Sequence, residues 1–173
     1  MFTFRLLMSS EITVTLADYS CLQDAQALRQ LMQEYANDPM GGGKPLADEV
    51  VEELPDKLQA FPGAYSVIAW DGDTPIGLIN SFTGFSTFKA KPLVNIHDVI
   101  VAPTYRRRGL ALEMLRVVEQ EAIERGCCKL TLEVLTGNQG AQAVYQQFGF
   151  AGYELDPQAG QAVFWEKKLS SPE

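Results

Sequence analysis

Residues 98–111 read Asp-Val-Ile-Val-Ala-Pro-Thr-Tyr-Arg-Arg-Arg-Gly-Leu-Ala, and this stretch decides how the rest of the chain is interpreted. An apolar run typical of a β-strand ends at Pro103, three arginines and Gly109 follow, and a helical pattern then begins. The free N–H groups and the positive dipole end at the start of a helix favour an anion, and arginine adds forked donors suited to phosphate. We therefore predict that residues 106–111, here called the arginine–glycine turn, cradle a diphosphate.

Length and composition indicate one soluble globular domain. The chain has 173 residues, of which 46% are hydrophobic and 21% charged, and this suits a single core. We predict a domain over residues 11–169, preceded by a disordered extension over residues 1–10. No apolar run is long enough to span a bilayer, so no membrane partner is expected.

Charge and cysteine content narrow the expected partners and the compartment. The formal net charge of -8 disfavours a nucleic-acid partner, because its phosphates would be repelled. Cys21, Cys127 and Cys128 have neither the pairing of a disulfide framework nor the spacing of a metal site. We expect free thiols in a reducing cytoplasm and no bound metal.

Hydrophobic periodicity predicts strands and helices that share one mixed sheet. Strands that pair as an antiparallel meander come first, and a strand–helix–strand crossover then places two parallel strands side by side. The predicted fold class is α/β or α+β with a central mixed sheet. The predicted strands cover residues 12–16, 65–70, 76–82, 93–101, 129–135 and 162–168, and the predicted helices cover residues 20–35, 47–60, 107–126 and 139–148.

A second motif occupies residues 138–150, which read Asn-Gln-Gly-Ala-Gln-Ala-Val-Tyr-Gln-Gln-Phe-Gly-Phe. Ala141, Val144, Tyr145 and Phe148 follow the spacing i, i+3, i+4 and i+7, so they share one face of a helix. On this spacing alone, Tyr145 is most simply a core aromatic residue, and Asn138 is most simply a helix cap.

Taken together, the two motifs resemble the acyl-CoA-binding motifs of the GNAT superfamily of N-acetyltransferases. The resemblance covers residues 95–153, and it implies a GNAT-like single α/β (α+β) domain. Such a domain has a mixed, mostly antiparallel sheet of six to seven strands with helices on both faces. The first family pattern, Arg/Gln-x-x-Gly-x-Gly/Ala, matches Arg106, Gly109 and Ala111, and the second, Asn-x-x-Ala-x-x-x-Tyr ending in Gly-Phe, matches Asn138, Ala141, Tyr145, Gly149 and Phe150.

The resemblance implies acetyl-CoA as the cofactor, with CoA as a product. Its diphosphate would lie on the arginine–glycine turn. Its pantetheine arm would pair with the backbone of the preceding strand, provided that this strand diverges from its parallel neighbour. The cofactor-binding residues implied in this way are Val99, Ile100, Val101, Arg106, Arg107, Arg108, Gly109, Leu110, Ala111, Asn138, Ala141 and Tyr145.

The implied reaction is direct transfer of an acetyl group from the thioester to a primary amine. Tyr145 would lie near the sulfur and act as the acid. Several family members have a Glu-Asp pair where this chain has His97-Asp98, and His97 is the candidate base because imidazole titrates near neutral pH. The alternative is a strand histidine that faces solvent or fills a packing gap. Strand side chains alternate, so His97 and Asp98 reach one cleft only if the strand carries a bulge.

The acceptor implied by the resemblance is a small cationic amine, which could be a polyamine, a diamine or an amino-acid-like molecule. The segment Phe85-Ser-Thr-Phe88 and the strand after it look like the corresponding region of diamine and polyamine acetyltransferases. The resemblance also implies that the loop over residues 39–50 helps to set the acceptor. The acidic residues near this expected acceptor loop could attract such an amine or could be the solvated side of a helix; they are Asp38, Asp48, Glu49, Glu52 and Glu53.

Two other functions stay open at this point. One is acetylation of a protein N-terminus or a lysine side chain, and the other is a non-catalytic acyl-CoA-binding sensor. Family members are often dimers, so a homodimer is compatible with the resemblance. The length of the transferred acyl chain is also open.

Overall fold

The computed structural model describes residues 12–152 and 163–169 of the chain. The extension expected over residues 1–10 lies outside the described residues. The strands are β1 (Ile12–Leu16), β2 (Ala64–Asp71), β3 (Thr74–Ser86), β4 (Lys91–Val101) and β5 (Leu130–Leu132). The helices are α1 (Leu22–Asn37), α2 (Asp48–Ala60), α3 (Leu110–Glu124) and α4 (Gln139–Phe148), with a short 3-10 helix at Pro103–Tyr105.

One five-stranded sheet organises the described residues, in the order β1-β2-β3-β4-β5. The first four strands form an antiparallel meander, and β4 pairs with β5 in parallel. The predicted meander and the predicted parallel pair are therefore confirmed. Helix α3 provides the crossover between β4 and β5, because parallel neighbours cannot be joined by a tight turn.

Helices cover both faces of the sheet, as expected. On one face, Leu28 and Leu31 of α1 and Leu58 of α2 pack with Ile68 and Leu78. On the other face, α3 and α4 cover the sheet with a second buried cluster, which contains Val67, Ile79, Ile96, Met114, Leu115, Val118 and Tyr145. This arrangement agrees with the single α/β domain that the resemblance implies.

The strand count is lower than expected, since the described residues form five strands and not six or seven. The strand predicted over residues 162–168 is wrong for its described part, because residues 163–169 form neither strand nor helix. Their apolar content favoured a strand, but a strand needs a hydrogen-bonded neighbour. Phe164 and Trp165 are instead 80% and 84% exposed.

Helix α3 begins at Leu110, three residues after the predicted start at Arg107. The reason is in the backbone, since Arg107 has φ 60° and Gly109 has φ 82°. Both values belong to the left-handed region, which a right-handed helix cannot contain. The other end follows the prediction, because Gly126 has φ 71° just after the helix.

Candidate active site

A cavity of about 530 Å³ opens where β4 and β5 separate. The two strands pair only through Val94–Leu130, Asn95–Thr131 and Ile96–Leu132. Beyond this point β4 continues to Val101, while the chain after β5 turns away and lines the opposite wall. The last residues of β4 therefore keep an edge without a neighbouring strand among the described residues.

The cavity brings both sequence motifs together. Its wall contains His97, the arginine–glycine turn apart from Arg108, and one face of α4. Every predicted site residue except Arg108 lies on it, namely His97, Val99, Ile100, Val101, Arg106, Arg107, Gly109, Leu110, Ala111, Asn138, Ala141 and Tyr145. The guanidinium carbon of Arg108 lies 5.2 Å from the centroid of the Tyr105 ring, beside a separate groove between β1 and α3.

The arginine–glycine turn ends in the uncapped N-terminus of α3. The amides of Leu112 and Glu113 donate to the carbonyl of Gly109, at 3.0 and 3.2 Å. The amides before them have no acceptor within the helix, as at the start of every helix. With Arg107 and Gly109 in the left-handed region, the turn has the kind of backbone that forms concave anion sites.

The Arg106 side chain closes this turn against two other segments. Its Nε donates to the carbonyl of Val101 at 2.9 Å, and its Nη2 lies 2.7 Å from Oδ2 of Asp38. The hydrogen bond from Arg106 is the main reason why the pKa of the Asp38 carboxyl is below its usual range. The turn is thereby tied to the end of β4 and to the residue after α1.

Asn138 has the capping role that its position suggests. Its Oδ1 accepts a hydrogen bond from the amide of Ala141 at 3.1 Å. This bond satisfies one of the free amides at the start of α4, so the position and direction of the helix are fixed at the edge of the cavity. Tyr145 lies two turns further along the same helix.

Tyr145 is 9% exposed, and its ring packs edge-on against Phe150 at a centroid distance of 5.9 Å. Burial raises the pKa of Tyr145 to about 12, and the nearby Tyr35 adds to the shift. No residue in the described part of the chain makes a hydrogen bond with its hydroxyl. The phenol is therefore protonated at neutral pH, with its donor free for a ligand in the cavity.

His97 is the extra residue of a β-bulge in β4. The pairing with β3 passes from Asn80–Asp98 directly to Ser81–Ile96, so His97 is skipped. The His97 ring contacts Phe82 edge-on at 5.2 Å, and Asp98 Oδ2 accepts from Asn80 Nδ2 at 3.0 Å. Phe82 and Asn80 lie on the face covered by α1 and α2, so both side chains point to that face, as only a bulge allows.

Of the five acidic residues near the expected acceptor loop, only Asp38 lines the cavity. Glu52 pairs with Arg29 at 3.3 Å and Glu53 with Lys57 at 3.6 Å, and both glutamates are largely exposed. These two belong to the solvated side of α2, which was the alternative interpretation. The Asp38 carboxylate is already neutralised by Arg106.

Sequence reasoning missed Tyr35 and named Met40 only as part of the expected acceptor loop, and both residues line the cavity. Tyr35 continues the apolar stripe of Leu28 and Leu31 at helical spacing, so that extending the stripe by one turn would have placed it on the sheet side of α1. Burial raises the pKa of Tyr35, and the charges of Asp98 and Asp38 add to this shift. Met40 lies in the loop after α1, where no periodic pattern indicates a position.

Comparison with known proteins gives a family and several relatives. The sequence model of the acetyltransferase (GNAT) family matches residues 26–150. A thialysine N-ε-acetyltransferase of Bos taurus is 30% identical over 78 residues, which are 45% of this chain and 45% of that protein. An aminoglycoside N(6')-acetyltransferase type 1 of Salmonella typhimurium is 25% identical over 79 residues, which are 46% of this chain and 50% of that protein.

The chain spans about half the length of the curated relatives that it matches. A solved aminoglycoside N-acetyltransferase in complex with CoA shares the fold over most of both chains. Its TM-score is 0.72 at 17% identity, and the match covers 92% of this chain and 97% of that one. Within the described residues, the helices are too short or too polar to cross a membrane.

Proposed function

This chain belongs to the acetyltransferase (GNAT) family, and we propose that it transfers an acetyl group from acetyl-CoA directly to a small cationic primary amine. One observation carries the proposal. The arginine–glycine turn and the second motif, residues 138–150, line one cavity between two separating strands. They do so although Ala111 and Asn138 are 27 positions apart in the sequence. The relatives that act on thialysine and on aminoglycosides support an amine acceptor.

Two parts of the cavity present backbone polar groups that suit acetyl-CoA. The free amides at the start of α3 and the left-handed turn before them suit a diphosphate. The open edge of Val99–Val101 suits the amides of a pantetheine arm, which would add to β4 as a strand does. The solved relative that holds CoA has the same fold, which supports this assignment.

Tyr145 is proposed as the donor at the thioester sulfur. Acetyl-CoA supplies an activated acetyl group. A phenol with a pKa of about 12 keeps its proton, and giving it up to a thiolate of ordinary pKa near 8.5 would cost about 5 kcal/mol. Tyr145 therefore acts through a hydrogen bond from its hydroxyl to the developing negative charge, in the way that an oxyanion hole acts.

His97 is proposed as the base for the acceptor. An alkylammonium has a pKa near 10.4, so the amine reaches the site protonated and has to lose a proton before it can react. The imidazole of His97 lies on the cavity wall and accepts that proton directly or through a water molecule. Cytoplasmic localisation fits the three free thiols.

The test is the release of free thiol from acetyl-CoA across a panel of acceptors. The panel contains a diamine, a polyamine, a lysine analogue, an aminoglycoside and peptides with free N-termini or lysines. Turnover with one or more of the small amines is the expected result. Turnover with peptides alone would assign the chain to the protein acetyltransferases, and CoA binding without turnover would make it a sensor.

A further inference from the structure

A chain of four hydrogen-bonded side chains runs through the sheet face under α1 and ends at the β4 bulge. The Tyr19 hydroxyl lies 2.8 Å from Ser66 Oγ, which donates to Asn80 Oδ1 at 2.6 Å. Asn80 Nδ2 donates to Asp98 Oδ2 at 3.0 Å. We call these four residues the polar chain, and its two middle members are 1% and 3% exposed.

The direction of every donor in the polar chain is fixed. Because the Asn80 amide donates to Asp98, its oxygen is the group that accepts from Ser66. Ser66 uses its only proton in that bond, so the Tyr19 hydroxyl donates to Ser66. Each hydrogen bond along the polar chain therefore donates in the direction of Asp98, whose Oδ2 is the final acceptor, while Asn80 Nδ2 also donates to Met32 Sδ at 3.1 Å.

The polar chain would destabilise the folded protein if one of its hydrogen bonds were missing. Its neighbours on this face are apolar, including Leu28, Ile68 and Leu78. Removing one partner inside such a face leaves a buried donor or acceptor unpaired, which destabilises the folded protein. A fully paired network of this kind specifies one geometry for the residues at its end. That end is the bulge, since Asn80 pairs with Asp98 at the position where the register shifts.

We propose that the polar chain holds the β4 bulge in place, and that Asn80 and Asp98 are positioning residues that set the His97 ring in the cavity. The inference rests on the proposed function, in which His97 is the base. Asp98 acts here as a hydrogen-bond acceptor and not as a charge. Without the bond from Asn80, the bulge would relax and the His97 ring would leave its contact with Phe82.

His97 is the only histidine in the chain, so that its ring gives a single pair of carbon-bound proton signals in a tag-free protein. The Phe82 ring lies 5.2 Å away and is tilted by 84° to the histidine ring, which places the histidine protons in a ring-current field. Heteronuclear NMR of histidine-labelled protein therefore reports the position of the ring without any need for activity.

The experiment compares Asn80→Ala, Asp98→Leu and Asp98→Asn. Asn80→Ala and Asp98→Leu remove the donor and the acceptor, and we expect both to shift the His97 ring signals. Asp98→Asn keeps an oxygen that can accept from Asn80, so its ring signals should coincide with those of the wild type. Ser81→Ala is the matched control, because Ser81 is a buried hydroxyl at the next position of β3, on the opposite face.

Kinetics provide the second measurement. Misplacement of the base should lower kcat for the amine by roughly 10- to 100-fold in Asn80→Ala and leave the KM for acetyl-CoA close to the wild-type value. If Asn80→Ala fails to fold, Asp98→Leu decides the result, since Asp98 is only half-buried.

Failure of this inference and failure of the proposed function are distinguishable. Wild-type protein without turnover on any amine would contradict the proposed function, while the NMR comparison would still test the position of the ring. Unchanged His97 signals in Asn80→Ala and Asp98→Leu would overturn the inference, even in a fully active enzyme. Signals that shift equally in Asp98→Asn would overturn it as well, because charge and not hydrogen bonding would then hold the ring.

Discussion

Asp38 and Arg106 lie 68 positions apart in the sequence and form an ion pair in which Oδ2 and Nη2 are 2.7 Å apart. Asp38 follows α1, and Arg106 is the first residue of the arginine–glycine turn. The second carboxylate oxygen of Asp38 accepts from the amide of Met40 at 2.8 Å. One carboxylate therefore joins the loop after α1 to the turn that is proposed to hold the diphosphate.

Asp38→Asn should lower stability at neutral pH and make it less sensitive to acid. The hydrogen bond from Arg106 lowers the pKa of Asp38 in the folded protein, so the pair stabilises the fold above the usual carboxyl pKa near 3.9. This stabilisation is lost as the pH falls through the lowered pKa. Because the pair is partly exposed, we expect the free energy of unfolding of Asp38→Asn to differ from that of the wild type by at most about 1 kcal/mol. This corresponds to a few degrees in Tm.

Thermal unfolding from pH 7 down to pH 3 tests the Asp38 prediction. The difference in Tm between the wild type and Asp38→Asn should shrink as the pH falls. Glu113→Gln is the control, because Glu113 pairs with Arg116 on an exposed side of α3 and should change Tm little at any pH. A difference that stays constant over this range would contradict the prediction.

Gly109→Ala and Gly126→Ala should cost similar stability, but only the first should weaken CoA binding. Both glycines have a left-handed backbone conformation, with φ of 82° for Gly109 and 71° for Gly126. A Cβ added at either position would have no neighbouring side chain or remote backbone atom within 4 Å. Backbone strain of about 1–2 kcal/mol is therefore the whole expected cost in each variant. Gly109 lines the cavity at the start of α3, whereas Gly126 follows the other end of the same helix.

The measurement is the increase in Tm on adding CoA. A ligand at 100 times its Kd stabilises a protein by about 2.7 kcal/mol, so a weaker Kd appears directly as a smaller increase. Gly126→Ala should have a lower Tm than the wild type without CoA, but CoA should raise its Tm by the same amount as in the wild type. Equal increases in both variants would show that CoA does not contact the turn.

Gly77→Ala should destabilise the contact between β3 and α3, while Gly84→Ala in the same strand should be close to neutral. A Cβ at Gly77 would lie 2.9 Å from Met114 Sδ and 3.2 Å from the carbonyl oxygen of Ile100. The methionine can move but the backbone carbonyl cannot, so we expect a loss of about 1–3 kcal/mol. A Cβ at Gly84 would meet Leu93 Cδ1 at an ordinary 3.4 Å.

Urea unfolding of the two glycine variants gives the comparison. The midpoint for Gly77→Ala should fall and the m-value should stay unchanged, because the substitution adds strain without changing the surface exposed on unfolding. Equal midpoints for Gly77→Ala and Gly84→Ala would contradict the predicted close packing.

Local patterns were sufficient to predict most of the fold. The stripe of Leu110, Met114, Leu115, Val118 and Ala122 predicts α3 and its buried face, and all five residues are buried. Helix α4 occupies the predicted residues. Such patterns work because helix periodicity depends only on neighbouring residues in the chain. The start of α3 was misplaced because the left-handed φ of Arg107 cannot be inferred from its identity.

The motif residues of the candidate site were predictable, because the resemblance joins residues 106–111 and 138–150 in one site, but their partners on other elements were not. Alternation in β4 shows that His97 and Asp98 need a bulge to share a face, but the hydrogen bond to Asp98 comes from Asn80 of another strand. The Asp38 partner of Arg106 is equally remote. These pairs depend on tertiary packing, and no spacing rule connects residues on separate elements.

Tyr145→Phe should lower kcat by roughly 100-fold or more without loss of stability. Its hydroxyl makes no hydrogen bond with any residue in the described part of the chain, so its removal should change the free energy of unfolding by less than about 0.5 kcal/mol.

Tyr65→Phe is the matched control, since the Tyr65 hydroxyl donates to the carbonyl of Val118 at 3.2 Å within the core under α3. That variant should lose about 1 kcal/mol and keep its kcat. The pH profile gives a further check, because burial raises the pKa of Tyr145 to about 12 and ionisation of this phenol cannot lower kcat at pH 9 or 10. Unchanged kcat in Tyr145→Phe would remove Tyr145 from the reaction, and the free hydroxyl in the cavity would then serve only to bind.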